Sequence, residues 1–201
     1  MSTRKDEIIN GCLTLFYKYG IKSISVDDIS HHLGISKKTF YQFFKNKDQV
    51  IELISMNFIN HNLLENRKII NDNTDVIDKI LKIYKQILEQ FHTCNPRFLS
   101  DIKKYYQNIY QLFNDFREKE LRFMITNLLK QGKEEGIFRD DLDEKMIYNL
   151  HVKRMKFIIE GSLLPDKYIG DPVFIDTMVI SLIGISTIKG HELIQNKINK
   201  F

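Results

Sequence analysis

The 201-residue sequence contains no alanine and no tryptophan, only two cysteines, three prolines and nine glycines. Alanine is the strongest helix former, so any helices here must rest on packed apolar faces rather than on backbone propensity. So few prolines and glycines over this length favour long helices over many short strands joined by tight turns. Cys12 and Cys94 are far apart and lie in no CxxC pair; Cys12 falls within an apolar helical pattern and reads as a buried thiol. No apolar run reaches the length of about 18 residues that a membrane span needs, so no membrane partner is expected. The polar start Met-Ser-Thr-Arg-Lys-Asp-Glu has no apolar signal region behind it, and the expected location is a reduced cytoplasm. HExxH, P-loop and GxSxG motifs are missing, as is any paired acid–base constellation. His31 and His32 are adjacent and so share no helical face. An enzyme is therefore not expected, nor any metal or other cofactor.

What is present is an ordinary globular balance of 43% hydrophobic and 28% charged residues, sufficient for a sizeable core. The net charge is +4, and residues 1–50 carry eight Lys and Arg against five Asp and Glu. A basic N-terminal segment on a near-neutral body suits a polyanionic partner at that end.

Apolar positions Ile8, Ile9, Cys12, Leu13, Leu15, Phe16 and Tyr19 follow helical spacing, with Thr3 as N-cap and Gly20 as stop. Ser25 and Asp28 form a capping box for a short helix Val26–Leu33, which Gly34 ends. Ser36 caps a helix from Lys37 to about Lys45, and Asn46 caps a long one reaching about Ile70. Helical patterns then fill the chain. One opens at Asn73 or Thr74 and runs to about His92. Another starts at Asn95-Pro96, with a break allowed near Tyr106–Ile109. A long helix is stopped by Gly136, and another, capped by Asp141 or Asp143, reaches Gly161 to Leu163. A last helix runs from Asp171-Pro172 to near Ile198. The expected fold is all-α, with about nine helices in total.

In the helix from Lys37, Phe40, Phe43 and Phe44 share one face, while Lys38, Tyr41, Gln42 and Lys45 lie opposite. An aromatic seat with an exposed Lys/Tyr/Gln row suits a DNA groove, where Lys donates to guanine or phosphate and Gln pairs with adenine. Two short helices joined by a Gly-containing turn, the second polar outside, make the helix-turn-helix pattern.

The stretches Phe16-Tyr-Lys-Tyr-Gly20, Ile24-Ser-Val-Asp-Asp-Ile-Ser30 and Leu33-Gly-Ile-Ser-Lys-Lys-Thr-Phe-Tyr-Gln-Phe-Phe-Lys-Asn-Lys-Asp48 resemble the N-terminal domain of the TetR family of transcriptional regulators. The resemblance runs without a gap from about Thr3 to Leu53 and includes the hallmark Phe-Tyr-x-Phe-Phe-x-x-Lys. The segment Gln131–Asp143 also resembles the family's linker before its eighth helix. Departures are Gly11 and Cys12 in place of an alanine pair, Ser30 in place of another alanine, and Lys38 where many members have glycine.

The resemblance implies a three-helix helix-turn-helix domain over 1–50 and a larger helical effector-binding and dimerisation domain over 51–201. It implies a sequence-specific DNA-binding regulator, a repressor whose operator binding is relieved by a small, largely apolar effector. The partners it implies are double-stranded operator DNA, that effector and a second copy of the chain. Carried over residue by residue, Ser25 meets a phosphate; Ser36, Lys37, Lys38 and Thr39 open the recognition helix; Tyr41 and Gln42 continue it; Lys47 holds the DNA backbone. For the C-terminal domain the sequence itself offers candidates. Phe174, Met178, Leu182 and Ile185 form an apolar stripe for a dimer interface, and Gly184 permits close helix approach. The alternative, that the stripe packs onto its own domain, stays open. Tyr84, Phe91, Tyr110, Phe113, His151 and Met155 are candidates for an effector pocket of apolar walls with a few polar groups, or for plain core.

Overall fold

The structure is a computed structural model that describes residues 3–93, 96–159 and 172–198. Among the described residues it consists of helices joined by short loops: α1 Arg4–Tyr19, α2 Val26–Leu33, α3 Lys37–Phe43, α4 Lys47–Ile70, α5 Val76–Thr93, α6 Pro96–Tyr105, α7 Gln107–Phe116, α8 Arg122–Glu134, α9 Glu144–Ile159, α10 Pro172–Gly184 and α11 Ile188–Ile198. A π-helical turn, Arg117–Leu121, joins α7 to α8. The fold is all-α, as expected. The break allowed near Tyr106–Ile109 falls at Tyr106, and the helices outnumber the expected nine because the π-helical turn divides the long helix expected up to Gly136 into α7 and α8, and because the expected terminal helix is two, α10 and α11.

That second break has a visible cause. The loop after α8 lies against residues 185–187: the Arg139 N–H donates to the Ile185 carbonyl at 3.0 Å and the Thr187 N–H to the Ile137 carbonyl at 2.9 Å. Backbone groups held by a neighbouring segment cannot also continue a helix ladder. The close approach requires two glycines, since a Cβ on Gly132 would run into the Phe138 ring and one on Gly190 into the Ile137 carbonyl. Thr187 then caps α11, its hydroxyl accepting the Gly190 N–H at 3.1 Å.

Local capping sets the other helix starts. Thr3 and Asp6, then Ser25 and Asp28, form complete capping boxes on α1 and α2. Asn46 Oδ1 accepts the Gln49 N–H at 2.9 Å. Asp75 caps α5, accepting from Ile77 and Asp78 at 3.0 and 3.2 Å, just past the expected Asn73 or Thr74. Asp143 caps α9, accepting from Met146 at 2.6 Å. The expected end of that helix at Gly161 to Leu163 lies outside the described residues.

The chain divides into two compact units, Met1–Leu63 with Thr93–Phe116, and Leu64–His92 with Arg117–Phe201. The first is wider than residues 1–50 because α6 and α7 share its core. Phe98, Ile102 and Ile109 are buried with Ile8, Cys12, Phe16, Ile29, Phe40, Phe44 and Ile51. Phe98 meets Tyr17 edge-on at 5.0 Å, Phe113 meets Phe58 at 5.9 Å, and Asp101 accepts the Lys22 N–H at 2.8 Å. The second unit buries Val76, Ile77, Met124, Leu128, Phe138, Met178, Leu182 and Ile194. Lys197 there reaches Asp75 and Asp78 at 2.5 and 2.6 Å, fastening α11 to the first turn of α5. No helix among the described residues is long and apolar enough to cross a membrane.

Candidate nucleic-acid interface

The site grows from the turn between α2 and α3. Gly34 adopts φ 61° and ψ 35°, a left-handed conformation that glycine reaches without Cβ strain. It ends α2 and lets Ile35 return its N–H to the Ser30 carbonyl at 3.0 Å. Ser36 then caps α3, accepting the Thr39 N–H at 3.0 Å and sharing a 2.8 Å hydrogen bond with the Thr39 hydroxyl. Both hydroxyls expected to face DNA thus also shape the helix start.

Phe40 is wholly buried and Phe44 nearly so, with Phe43 half-buried. α3 ends at Phe43, two residues before the expected Lys45, and Phe44 reaches the core from an extended conformation with φ −137°. Lys45 therefore leaves the helical row, and its N–H donates to Gln49 at the start of α4. On the outer side Lys37, Lys38, Tyr41 and Gln42 are exposed, Tyr41 by 53% with its ring edge-on to Phe40 at 5.5 Å. A large aromatic exposed beside a rigid aromatic seat keeps a fixed direction at little entropic cost.

Ser25 caps α2, its hydroxyl donating to Asp28 at 2.6 Å, and that bond holds the Asp28 carboxyl below its ordinary range. Lys37 pairs with Asp27 across the turn at 2.5 Å, both side chains well exposed. An exposed pair contributes little, so Lys37 remains available to a phosphate. Helical periodicity gave no sign of Asp27, because the pair joins two elements.

Lys47 is placed differently from a simple surface cation. Its ammonium donates to the Ile21 and Ile24 carbonyls at 3.0 and 2.8 Å, and burial lowers its pKa. Two of its three donors thus hold the α1–α2 loop against the start of α4. The family departures also have physical counterparts. Gly11 leaves the space that the Leu33 side chain fills, and Ser30 brings a buried hydroxyl without a hydrogen-bond partner among the described residues.

The expected pocket residues divide between the units. Tyr110 and Phe113 pack against the first unit's core, and Tyr84 and Met155 belong to the second unit's. Burial raises the Tyr84 hydroxyl to about 12 and lowers the His151 imidazole to about 4, so both are neutral near pH 7. A groove of about 330 Å³ opens beside the α10–α11 break, lined by Ile183, Ser186, Thr187, Ile188, His191 and Glu192, none of them expected. Of the stripe expected at a dimer interface, two residues follow the alternative that the sequence left open, packing onto their own domain. Met178 and Leu182 are buried in the second unit's own core and Ile185 is half-buried, so the first two have no surface left for a partner. α10 instead shows Ile180 to solvent, 69% exposed. The side chains of Phe91 and Phe174 lie outside the described residues.

Comparison with known proteins agrees with this geometry. The family model described as bacterial regulatory proteins, tetR family, matches residues 8–54, from α1 into α4. The transcriptional repressor KstR2 of Mycolicibacterium smegmatis is 27% identical over 150 residues, 73% of each chain. The solved structure of KstR2 from Mycobacterium tuberculosis covers 93% of this chain and 97% of its own, with a TM-score of 0.66 at 22% identity. A TetR-family regulator from Marinobacter aquaeolei covers 99% and 98%, with a TM-score of 0.79 at 15% identity, a likeness of fold alone. The helix-turn-helix over residues 8–54 is that of the TetR family, and the chain, similar over 73% of its length to the repressor KstR2, is a DNA-binding transcriptional regulator resembling that family.

Proposed function

We propose that the chain is a homodimeric repressor that reads its operator with α3 and releases it when a small, largely apolar effector binds the second unit. The observation that carries DNA reading is the outer row of α3. Lys38, Tyr41 and Gln42 are exposed on a helix whose inner face is locked by buried Phe40 and Phe44. A rigid helix with an exposed Lys/Tyr/Gln row presents donors and acceptors to base edges in the major groove. Ser25, Ser36, Lys37, Thr39 and Lys47 flank the row and supply phosphate contacts. Repression is supported by the relatives, among them the KstR2 repressor and a negative regulator of a biofilm operon in Staphylococcus epidermidis, 28% identical over 128 residues.

For dimerisation the second unit offers exposed apolar side chains on the expected helices but on a different face from the expected stripe. Met146 and Leu150 stand one turn apart on α9, Ile180 on α10, and Ile188, 83% exposed, at the start of α11. Gly184, one turn after Ile180, has open space around it, which lets a partner helix approach closely. Covering such a face with its own copy removes apolar surface from water. An effector weakens DNA binding only if it binds the DNA-incompetent arrangement better. The test is selection of bound duplexes from a random pool, followed by transcription from a template carrying the selected site across its promoter. Reduced transcript on adding the protein supports repression, and increased transcript contradicts it.

A further inference from the structure

The second unit holds a half-buried cation without an anion among the described residues. Arg154, on α9, directs Nη2 toward His151 Nδ1 at 3.2 Å and toward the Met178 sulfur at 3.6 Å. Its Nε is shut off from solvent and has no hydrogen-bond partner among the described residues. Among the described residues no carboxylate pairs with it. A guanidinium cannot shed its charge by deprotonating, so a structure that buries one normally supplies an acceptor. A neutral imidazole and a thioether are weak acceptors for two charged donors. Nε–H and Nη2–H together form the edge of the guanidinium that grips a carboxylate with two parallel bonds. If Nη2 donates to Nδ1, the imidazole proton lies on Nε2, and the ring contributes a further donor. The Tyr84 hydroxyl is the third polar group of the cluster, close enough for the Arg154 charge to act on it. Met178 and Tyr84 belong to the second unit's apolar core, against which Met155 also packs.

We infer that Arg154, with His151 and Tyr84, forms the anion-recognition point of the effector site, and that the effector is an apolar molecule bearing one carboxylate. This rests on the reading of the second unit as effector-binding. A single guanidinium edge among neutral donors suits a planar monoanion better than a phosphate, which favours several cations. Without the ligand the guanidinium is a destabilising element, so the ligand-free chain tolerates its loss.

The experiment is calorimetric titration of the full chain with straight-chain carboxylates from hexanoate to hexadecanoate and with their methyl esters. It is accompanied by thermal unfolding of wild type and Arg154→Met without ligand. The best carboxylate is expected to bind roughly tenfold to a hundredfold more tightly than its ester, as a charged hydrogen-bonded pair supports. In Arg154→Met that preference disappears, ester affinity is kept, and the ligand-free melting temperature rises. If wild type binds ester and carboxylate equally, the anion site is refuted while the effector reading stands. If it binds neither across the series, the effector reading fails and the anion site with it. A lower melting temperature in Arg154→Met, or retention of the carboxylate preference, shows the guanidinium to be structural and overturns the inference.

Discussion

In the first unit the half-buried ammonium of Lys47 rests on two backbone carbonyls; in the second, the guanidinium of Arg154 rests on an imidazole and a thioether. The second unit is not short of acceptors, since buried Lys79 there reaches the Ile70 carbonyl and Gln131 Oε1 at 2.8 and 2.9 Å. The contrast therefore belongs to particular places. Around α2 and α3 each charge near the core closes a loop or a cap and fixes the reading helix. Around α9 and α10 a half-buried charge has no carboxylate partner among the described residues. A buried charge already matched holds a shape, and one left unmatched is an invitation to a ligand.

The comparison is broken most forcefully at the aromatic seat. Phe40→Ala removes a wholly buried ring from the first unit and should cost about 3–5 kcal/mol in stability, with loss of DNA binding. Denaturant unfolding followed by DNA titration measures both, and a cost under about 1 kcal/mol would deny α3 its rigid support.

Next in size is the surface of the second unit. Ile180→Glu places a charge on the exposed face of α10 and should weaken self-association by roughly a hundredfold, while helix content is unchanged. Sedimentation reads this directly. A dimer as tight as wild type would move the interface elsewhere.

Protonation gives a smaller effect. His151 titrates near 4 in the folded chain against an ordinary 6.5. Between those values the unfolded chain binds a proton that the folded chain does not. Stability should therefore fall as pH drops below about 6.5, by at most about 1.4 kcal/mol per pH unit. His151→Gln should flatten that part of the melting-temperature profile; an identical profile would mean that the imidazole is not held neutral.

The smallest effect has the opposite sign. Ser30→Ala removes a buried hydroxyl with no hydrogen-bond partner among the described residues and should stabilise the chain by about 1 kcal/mol. A loss of stability would mean that the hydroxyl is satisfied in solution.

Much of the first unit was legible because its signals are local. Thr3 with Asp6, Ser25 with Asp28, Ser36 and Gly34 mark helix ends within four residues, and the Phe40/Phe44 pattern names its own buried face. What escaped there depends on approach between elements: the seat of Lys47 on Ile21 and Ile24, the pairing of Lys37 with Asp27, and the end of α3 at Phe43. In the second unit periodicity located the helices but not their inward faces. α10 is apolar nearly all round, so Met178 and Ile180 look alike in sequence although one is buried and the other exposed. The break after Gly184 is dictated by the loop carrying Ile137 and Phe138, far away in the chain. Arg154 was within reach of the wheel, since it lies three residues after His151 and beside Met155, but that its charge would be left unmatched depends on α5 and α10.

The most direct test titrates wild type, Gln42→Ala and Lys37→Ala against a selected operator and a scrambled duplex at several salt concentrations. Gln42→Ala should cost about 1–3 kcal/mol on the operator and little on scrambled DNA, while Lys37→Ala weakens both alike and lowers the salt slope by about 1. Equal losses for Gln42→Ala on both duplexes would contradict base reading by α3, and no loss for either variant on any DNA would contradict the account as a whole.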